Sequence, residues 1–456
     1  MSSSNQRSSI RFKNGDLDRL RKGLLSDLTN EHFAILLGKT ETCNDGFIVT
    51  IHDILFPQEG ELLEQNSGFL RINKKFVATA LTMLQKRVDV DTFIDVHTHP
   101  FSKNTVEFSG TDDADEISFT DFLAENFSKI KYSSIVLSQE YYSARYWFCG
   151  KQKYCGCEIK TQLKSEYFPK NHMGTSMTIK EETMQMYDRS ILALGIETMK
   201  SIMADEKIAI VGVGGLGSII AENLIHMGFQ NLILIDNDKL EISNLNRIVG
   251  AKYQQAKEGM IKVEAIAAHL KAINPYCTIE TFPINVHSEE AEKVLAFSDW
   301  VIVATDNHAS RFRVQEYAFK YYVPFISAGV NITINDNIIT DISGEVITIR
   351  IGDTICLDCL RRINYNAVAS EIHPDKTVRE GLIQKGYVTG ADIHTPAVKT
   401  LNSMIANMTV DSLINQYIQR QKTIPILVYE NNFVPCVYED KDSVVFRNLR
   451  CQYCSE

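Results

Sequence analysis

Three groups of residues in this chain combine the types and spacings that chemistry needs. Gly212-Val213-Gly214-Gly215-Leu216-Gly217 fits G-x-G-x-x-G, directly after the apolar run KIAIVGV at 207–213 and at the start of the apolar stretch SIIAENLIHMG. Gly212 permits a tight turn, Gly214 lets the backbone approach a phosphate, and Gly217 lets the following helix pack closely. The phosphate then meets the unpaired N–H groups and dipole of a helix N-terminus. Asp236 closes the next apolar run, at about the 20-residue spacing of a ribose-binding acid. These residues serve NAD and ATP equally well.

The second group is His97-Thr98-His99-Pro100 followed by Ser109-Gly-Thr-Asp112. His97 and His99 alternate at a strand end, so both point the same way. Imidazoles paired in this way are of the type that ligates zinc. The third group is Cys356-Leu-Asp-Cys359 and Cys451-Gln-Tyr-Cys454. Four thiolates close a tetrahedral zinc site with no open position, which makes that metal structural. It would pin the C-terminal tail to the middle of its domain. Cys149, Cys155 and Cys157 read as ordinary hairpin thiols.

After the glycine loop come ILIDNDKLEISNLNR, Gly259-Met-Ile-Lys262 and VATDNHASR at 303–311, with YDRSILALG at 187–195 upstream. This ordered set resembles the ThiF/MoeB/ubiquitin-activating family. The resemblance implies ATP as cofactor, with Gly212, Gly214, Gly215, Gly217, Asp236, Asp238, Asn244, Arg247, Lys262 and Asp306 as the nucleotide site. Asp236 would hold the ribose, and Asn244, Arg247 and Lys262 the phosphates. Asp306 would ligate Mg²⁺. Arg189 resembles the family arginine that reaches the neighbouring subunit's ATP, which implies a homodimer. The physics agrees: a carboxylate attacking an α-phosphate gathers negative charge that Lys, Arg and Mg²⁺ stabilise. The family carries the same two-pair zinc. One departure stands out. Thioester-forming members have a cysteine in the loop after the first zinc pair, whereas residues 360–435 contain none; Cys277 precedes and Cys436 follows.

The H-x-H-P and S-x-x-D segments resemble the JAMM/MPN (JAB) metalloprotease family. That resemblance implies Glu31 as the general base and Ser109 as the group steadying the oxyanion, around a catalytic zinc on His97, His99 and Asp112. The eight residues between Pro100 and Ser109 are more than that family carries.

The elements that must position these groups follow from periodicity. Residues 18–29 and 76–87 have helical spacing, and strand-length runs lie at 33–39, 46–56, 92–99, 133–139 and 143–149. Beyond 206, strands at 207–213, 232–236, 300–306 and 324–330 alternate with helices near 259–272 and 309–320, which predicts a doubly wound parallel sheet. The fold class is therefore α/β: a mixed α+β JAMM/MPN-like domain, then a Rossmann-like ThiF-type domain with a tetracysteine zinc site. The expected boundaries are a mobile tail over 1–10, a first domain over 11–165, a helical connection over 166–205 carrying Arg189, and a second domain over 206–456.

The 456 residues carry a net charge of −10 and no basic run, which argues against a nucleic-acid partner. No apolar stretch of about 18 residues is present to span a bilayer, and the first residues have no apolar signal core. A cytoplasmic protein with no membrane partner is expected. Together the resemblances imply adenylation of the C-terminal glycine of a ubiquitin-like protein, with a fused peptidase that processes or deconjugates it. A conjugating enzyme would be a further partner, and a bacterial antiviral conjugation system a setting. The alternatives are activation of a sulfur-carrier protein in cofactor biosynthesis, and a nicotinamide-dependent oxidoreductase beside a non-catalytic metal domain.

Overall fold

The computed structural model describes residues 8–43, 46–66, 70–102, 105–162, 181–203, 206–373, 398–441, 448 and 450–454. The chain divides into two compact units, 1–176 and 177–456.

The first unit is built on one sheet of eight strands. Across it they run Glu158–Lys160, Ser9–Arg11, Gly46–Leu55, Phe33–Cys43, Thr92–Thr98, Lys131–Leu137, Tyr142–Phe148 and Lys153–Gly156. Strand alternation gives the sheet two apolar faces. On one, Leu36, Val49, Ile94 and Val96 pack with Leu17, Leu20 and Leu24 of the helix Asp16–Leu24. On the other, Ile35, Phe93, Tyr132 and Trp147 pack with Phe76, Ala80 and Leu84 of the helix Lys74–Lys86 and with Leu123 of the helix Gly110–Asn126. Thr92–Thr98 and Lys131–Leu137 are parallel neighbours, and the helix Gly110–Asn126 is their crossover. Even spacing from Phe93 puts Asp95 and His97 on the face beneath that helix.

Two expectations need correcting here. The first helix stops at Leu24 rather than 29, because Asp27 turns back to accept the Thr29 N–H at 2.8 Å and offers the backbone a turn instead. Residues 1–7 of the expected tail lie outside the described residues, but Ser9–Arg11 is a buried strand pairing in parallel with both Gly46–Leu55 and Glu158–Lys160.

The second unit holds another sheet of eight strands. Their order is Thr278–Phe282, Asn231–Ile235, Lys207–Val211, Trp300–Val303, Phe325–Asn335, Ile338–Ile349, Ile426–Glu430 and Cys436–Glu439. The first five are parallel and the last three antiparallel, so the doubly wound pattern covers part of the sheet. The antiparallel half starts with a hairpin whose turn residues, Asp336 and Asn337, have φ of 47° and 60°. Two consecutive left-handed residues suit the twist of a two-residue hairpin. The helices Glu181–Met186, Asp188–Leu194 and Ile196–Met203 belong to this unit: Tyr187, Met199, Ile202 and Met203 join its core. In sequence order the strand sequence reverses direction between Lys207–Val211 and Trp300–Val303. That switch point, at the carboxyl ends of parallel strands, is where α/β sheets leave a ligand crevice.

Candidate functional site

The crevice is lined first by backbone. Gly212 takes φ +86°, and its N–H donates to the Ile235 carbonyl at 2.9 Å. Gly214 precedes the helix Gly215–Met227, and a Cβ added to it would meet nothing within 4 Å. At Gly217 a Cβ would lie 1.8 Å from the Gly212 carbonyl oxygen, so this position admits glycine alone. A Cβ at Gly215 would lie 2.6 Å from Asn402 Nδ2 and 3.0 Å from the Arg247 side chain, which therefore flank the loop.

Side chains from neighbouring strand ends complete the cradle. Asp236 follows Asn231–Ile235; its two carboxylate oxygens accept the Val213 and Asp238 N–H groups, each at 2.9 Å. Burial pushes its carboxyl above the ordinary range, against the opposing pull of Lys262. Lys262 starts the helix Lys262–Ile273 and places Nζ 2.7 Å from Asp238. Asn244 is buried in the 3₁₀ turn Ile242–Asn244, its Oδ1 accepting the Glu241 N–H at 3.2 Å. Arg247 is anchored on the Ser243 carbonyl at 2.8 Å. Asp306 follows Trp300–Val303, is exposed, and its carboxylate makes no hydrogen bond or ion pair among the described residues. An uncommitted carboxylate at a strand end fits a hard divalent cation. Arg189 sits exposed on Asp188–Leu194, a helix with no buried residue.

The four cysteines meet. Cys356 Sγ lies 3.5 Å from Cys451 Sγ and 3.6 Å from Cys454 Sγ, which is 3.6 Å from Cys359 Sγ. A tetrahedron of ~2.3 Å zinc–sulfur bonds has edges of roughly 3.8 Å, so the cluster fits zinc. The N–H groups of Cys359 and Tyr453 donate to Cys356 and Cys451 sulfurs, each at 3.4 Å. Such bonds hold thiolate charge. Cys277 is buried, Cys436 is exposed on the strand Cys436–Glu439, and residues 374–397, in the cysteine-free stretch after the first cysteine pair, lie outside the described residues.

In the first unit, ligand atoms of His97, His99 and Asp112 all lie within 4.8 Å of one another. Asp112 is 3.5 Å from His97 Nε2 and 3.8 Å from His99 Nε2, and the imidazole centroids are 5.1 Å apart. His97 Nε2 is buried and has no hydrogen-bond partner. With only the long 3.5 Å approach of Asp112 beside it, this nitrogen and the neighbouring ligand atoms of His99 and Asp112 fit a shared metal ion. Glu31 brings Oε1 to 4.0 Å from His99, and burial raises its carboxyl above the usual value, with the His97 charge opposing. Ser109 is exposed and N-caps the helix Gly110–Asn126; its Oγ accepts the Asp112 N–H at 3.2 Å while Asp112 Oδ2 accepts the Ser109 N–H at 2.6 Å. The capping box leaves the Ser109 hydroxyl hydrogen uncommitted.

The ThiF family model matches residues 187–436, more than half of the chain and all of the crevice. The chain belongs to the ThiF family. Among the relatives of this ThiF-family chain is the ubiquitin-like modifier-activating enzyme 5 of Drosophila sechellia, 29% identical over 251 residues, which are 49% of this chain and 58% of that protein. Its counterpart in Drosophila mojavensis is 33% identical over 249 residues, 49% and 57% of the two. The chain thus spans little more than half the length of these relatives. Against crystalline E. coli MccB with AMPCPP and MccA the identity is 17% and the TM-score 0.48, covering 62% of this chain and 76% of that one. No described helix is long and apolar enough to cross a membrane.

Sequence reasoning missed several residues around both sites. Asn402, from the helix Lys399–Ile418, lies against the glycine loop. Arg311 is half-buried beside the crevice and donates to the Thr305 carbonyl at 3.4 Å. Behind His97 lie Asp95, Glu116 and Arg145, all buried or nearly so. The readable signal for that group was a charged residue inside each apolar run, TFIDVHTH and SARYWFC.

Proposed function

We propose that this chain uses ATP to adenylate the C-terminal glycine carboxylate of a small ubiquitin-like protein, and that its first unit is a zinc peptidase acting on the same kind of tail. The observation that carries the first part is the ordered convergence of glycine loop, Asp236, Lys262, Arg247 and Asp306 at the switch point of a ThiF-family sheet. The glycine loop and helix N-terminus cradle phosphate oxygens. Asp236 receives the ribose hydroxyls. A carboxylate oxygen of the protein tail attacks the α-phosphorus, the bond to the bridging oxygen breaks, and pyrophosphate leaves. Asn244, Arg247 and Lys262 offset the charge gathered on the way. Asp306 would hold Mg²⁺, which adds positive charge beside the α-phosphate when bound. Arg189, exposed on its helix, would complete the neighbouring copy's site in a homodimer. With no cysteine in 360–435, the acyl-adenylate passes directly to a nucleophile on another protein, such as a conjugating enzyme or, for a sulfur carrier, a sulfur donor. The four cysteines would hold a structural zinc.

In the first unit His97, His99 and Asp112 would hold zinc, which supplies Lewis acidity at neutral pH when bound. Glu31, with its carboxyl raised by burial, takes a proton from water at the scissile carbonyl and passes it to the leaving amine. The Ser109 hydroxyl donates to the oxyanion.

ATP–pyrophosphate exchange tests the reading. Exchange that depends on an added small protein ending in glycine supports it. Absence of exchange with any such protein, together with NAD binding in the crevice, overturns it. A neighbouring gene for a conjugating enzyme or for a cysteine desulfurase separates conjugation from sulfur transfer.

A further inference from the structure

Beneath the helix that carries Asp112 runs a buried polar row. Across three strands Asp95, Ser134 and Arg145 are register partners, Asp95 with Ser134 and Ser134 with Arg145. Glu116 reaches the row from the overlying helix. Its Oε2 accepts from Ser134 Oγ at 2.7 Å, from Arg145 Nε at 2.9 Å and from Trp147 Nε1. Arg145 is 3% exposed. Its other arm donates to Asp113 at 2.6 Å, and its guanidinium lies 3.7 Å above the Phe108 ring.

A buried arginine is expensive and calls for a reason. Its contacts point to one. Asp113 is the residue after the ligand Asp112. Phe108 is the last residue of the loop joining Pro100 to Ser109, and its ring is 6.0 Å from the His97 ring. Glu116 lies one turn further along the same helix. A planar five-donor fork that stacks on an aromatic face can hold all three at once; lysine cannot. This sheet-borne group therefore grips the helix's first turn and the loop's end on either side of Asp112.

We propose that Arg145 is a positioning residue for the divalent-metal site, setting the place of Asp112 through Asp113, Glu116 and Phe108. The proposal rests on the zinc-peptidase reading of the first unit. It assigns Arg145 no contact with metal or substrate.

The test measures zinc content and zinc affinity, by competition with a chromophoric chelator, in the full-length chain. The variants are Arg145→Lys, Arg145→Met and Arg145→Met with Glu116→Gln. The last removes the carboxylate charge that Arg145→Met alone would leave buried and unpaired, so it guards against loss of the fold. The tetracysteine zinc serves as internal reference. Affinity at the histidine site should fall about 10- to 100-fold in all three, as for lost supports of metal ligands, with the thiolate zinc unchanged. Unaltered affinity at the histidine site in a folded double variant overturns the positioning role, even where its melting temperature has dropped. Should the unsubstituted protein bind zinc at the four cysteines alone, the zinc-peptidase reading falls first, and this inference with it.

Discussion

The crevice of the second unit is formed largely by backbone, whereas the histidine cluster of the first is formed by side chains that also hold the fold together. At Gly217 a single carbonyl 1.8 Å from a would-be Cβ decides what residue can stand there. At His97 the outcome depends on Asp112, which depends on a capping box, which sits on a helix gripped by Arg145. A backbone site is fixed by sterics and tolerates wide change around it. A side-chain site shares its parts with stability, and each part can fail in two ways.

The sharpest break of this contrast comes from two glycines of the loop. Gly217→Ala forces a methyl into the Gly212 carbonyl. It should cost at least about 3 kcal/mol, the upper range of overpacking in a rigid site, and abolish nucleotide binding. Gly214→Val has open space and should melt within about 1 kcal/mol of the unsubstituted protein, since no overpacking arises. It should nevertheless lose ATP affinity by about 100-fold or ~2.7 kcal/mol, because its branches fill the phosphate's place. Thermal melts with and without ATP read both numbers. Equal melting of the two variants would show that the loop is not the steric frame described.

Next in size is Asp306→Ala. The carboxylate is exposed and bonded to nothing among the described residues, so stability should hold. Exchange should fall about 10²- to 10³-fold, the scale of losing one electrostatic stabiliser of a transition state. Cleavage of a glycine-tailed peptide should be unchanged. If cleavage disappears as well, the two centres are not independent.

The metal count is the third test. The unsubstituted chain should hold two zinc ions, one at each cluster. His97→Ala combined with Asp112→Ala should remove one and leave the thiolate zinc in place. A count of one in the unsubstituted protein contradicts the first site outright.

The contrast also sorts what could be read from the sequence. The turn at Gly212 and the side-by-side placement of His97 and His99 were legible because each answers a local constraint: Gly212 takes a left-handed φ, and the two histidines need only strand alternation. The parallel half of the second sheet was legible from strands alternating with helices. Its antiparallel half was not. The run at 324–330 looked complete, and the hairpin continuing to Ile349 is declared only by Asp336-Asn337, whose turn-forming role depends on both taking positive φ. Helix Asp16–Leu24 shows the same limit at smaller scale: its apolar spacing was clear, while its end was set by the Asp27 side chain. Arg145 was hidden for another reason. In an alternating strand a charged residue reads as solvent-facing, and only the helix above it turns that position into interior.

The smallest effect separates structure from chemistry at one residue. Ser109 caps its helix and, in the proposed reaction, donates to the oxyanion. Ser109→Ala loses both, and should cost about 1 kcal/mol of stability as cap removal does along with cleavage rate. Ser109→Asn keeps a cap of equal rank, because its side-chain oxygen also accepts an N–H of the first turn. It should melt like the unsubstituted protein and keep Asp112 in place. Its longer amide displaces the donor from where the hydroxyl stood, so cleavage should stay low at full zinc occupancy. If Ser109→Asn restores cleavage together with stability, capping is the residue's whole contribution. The oxyanion donor must then be sought elsewhere in the first unit.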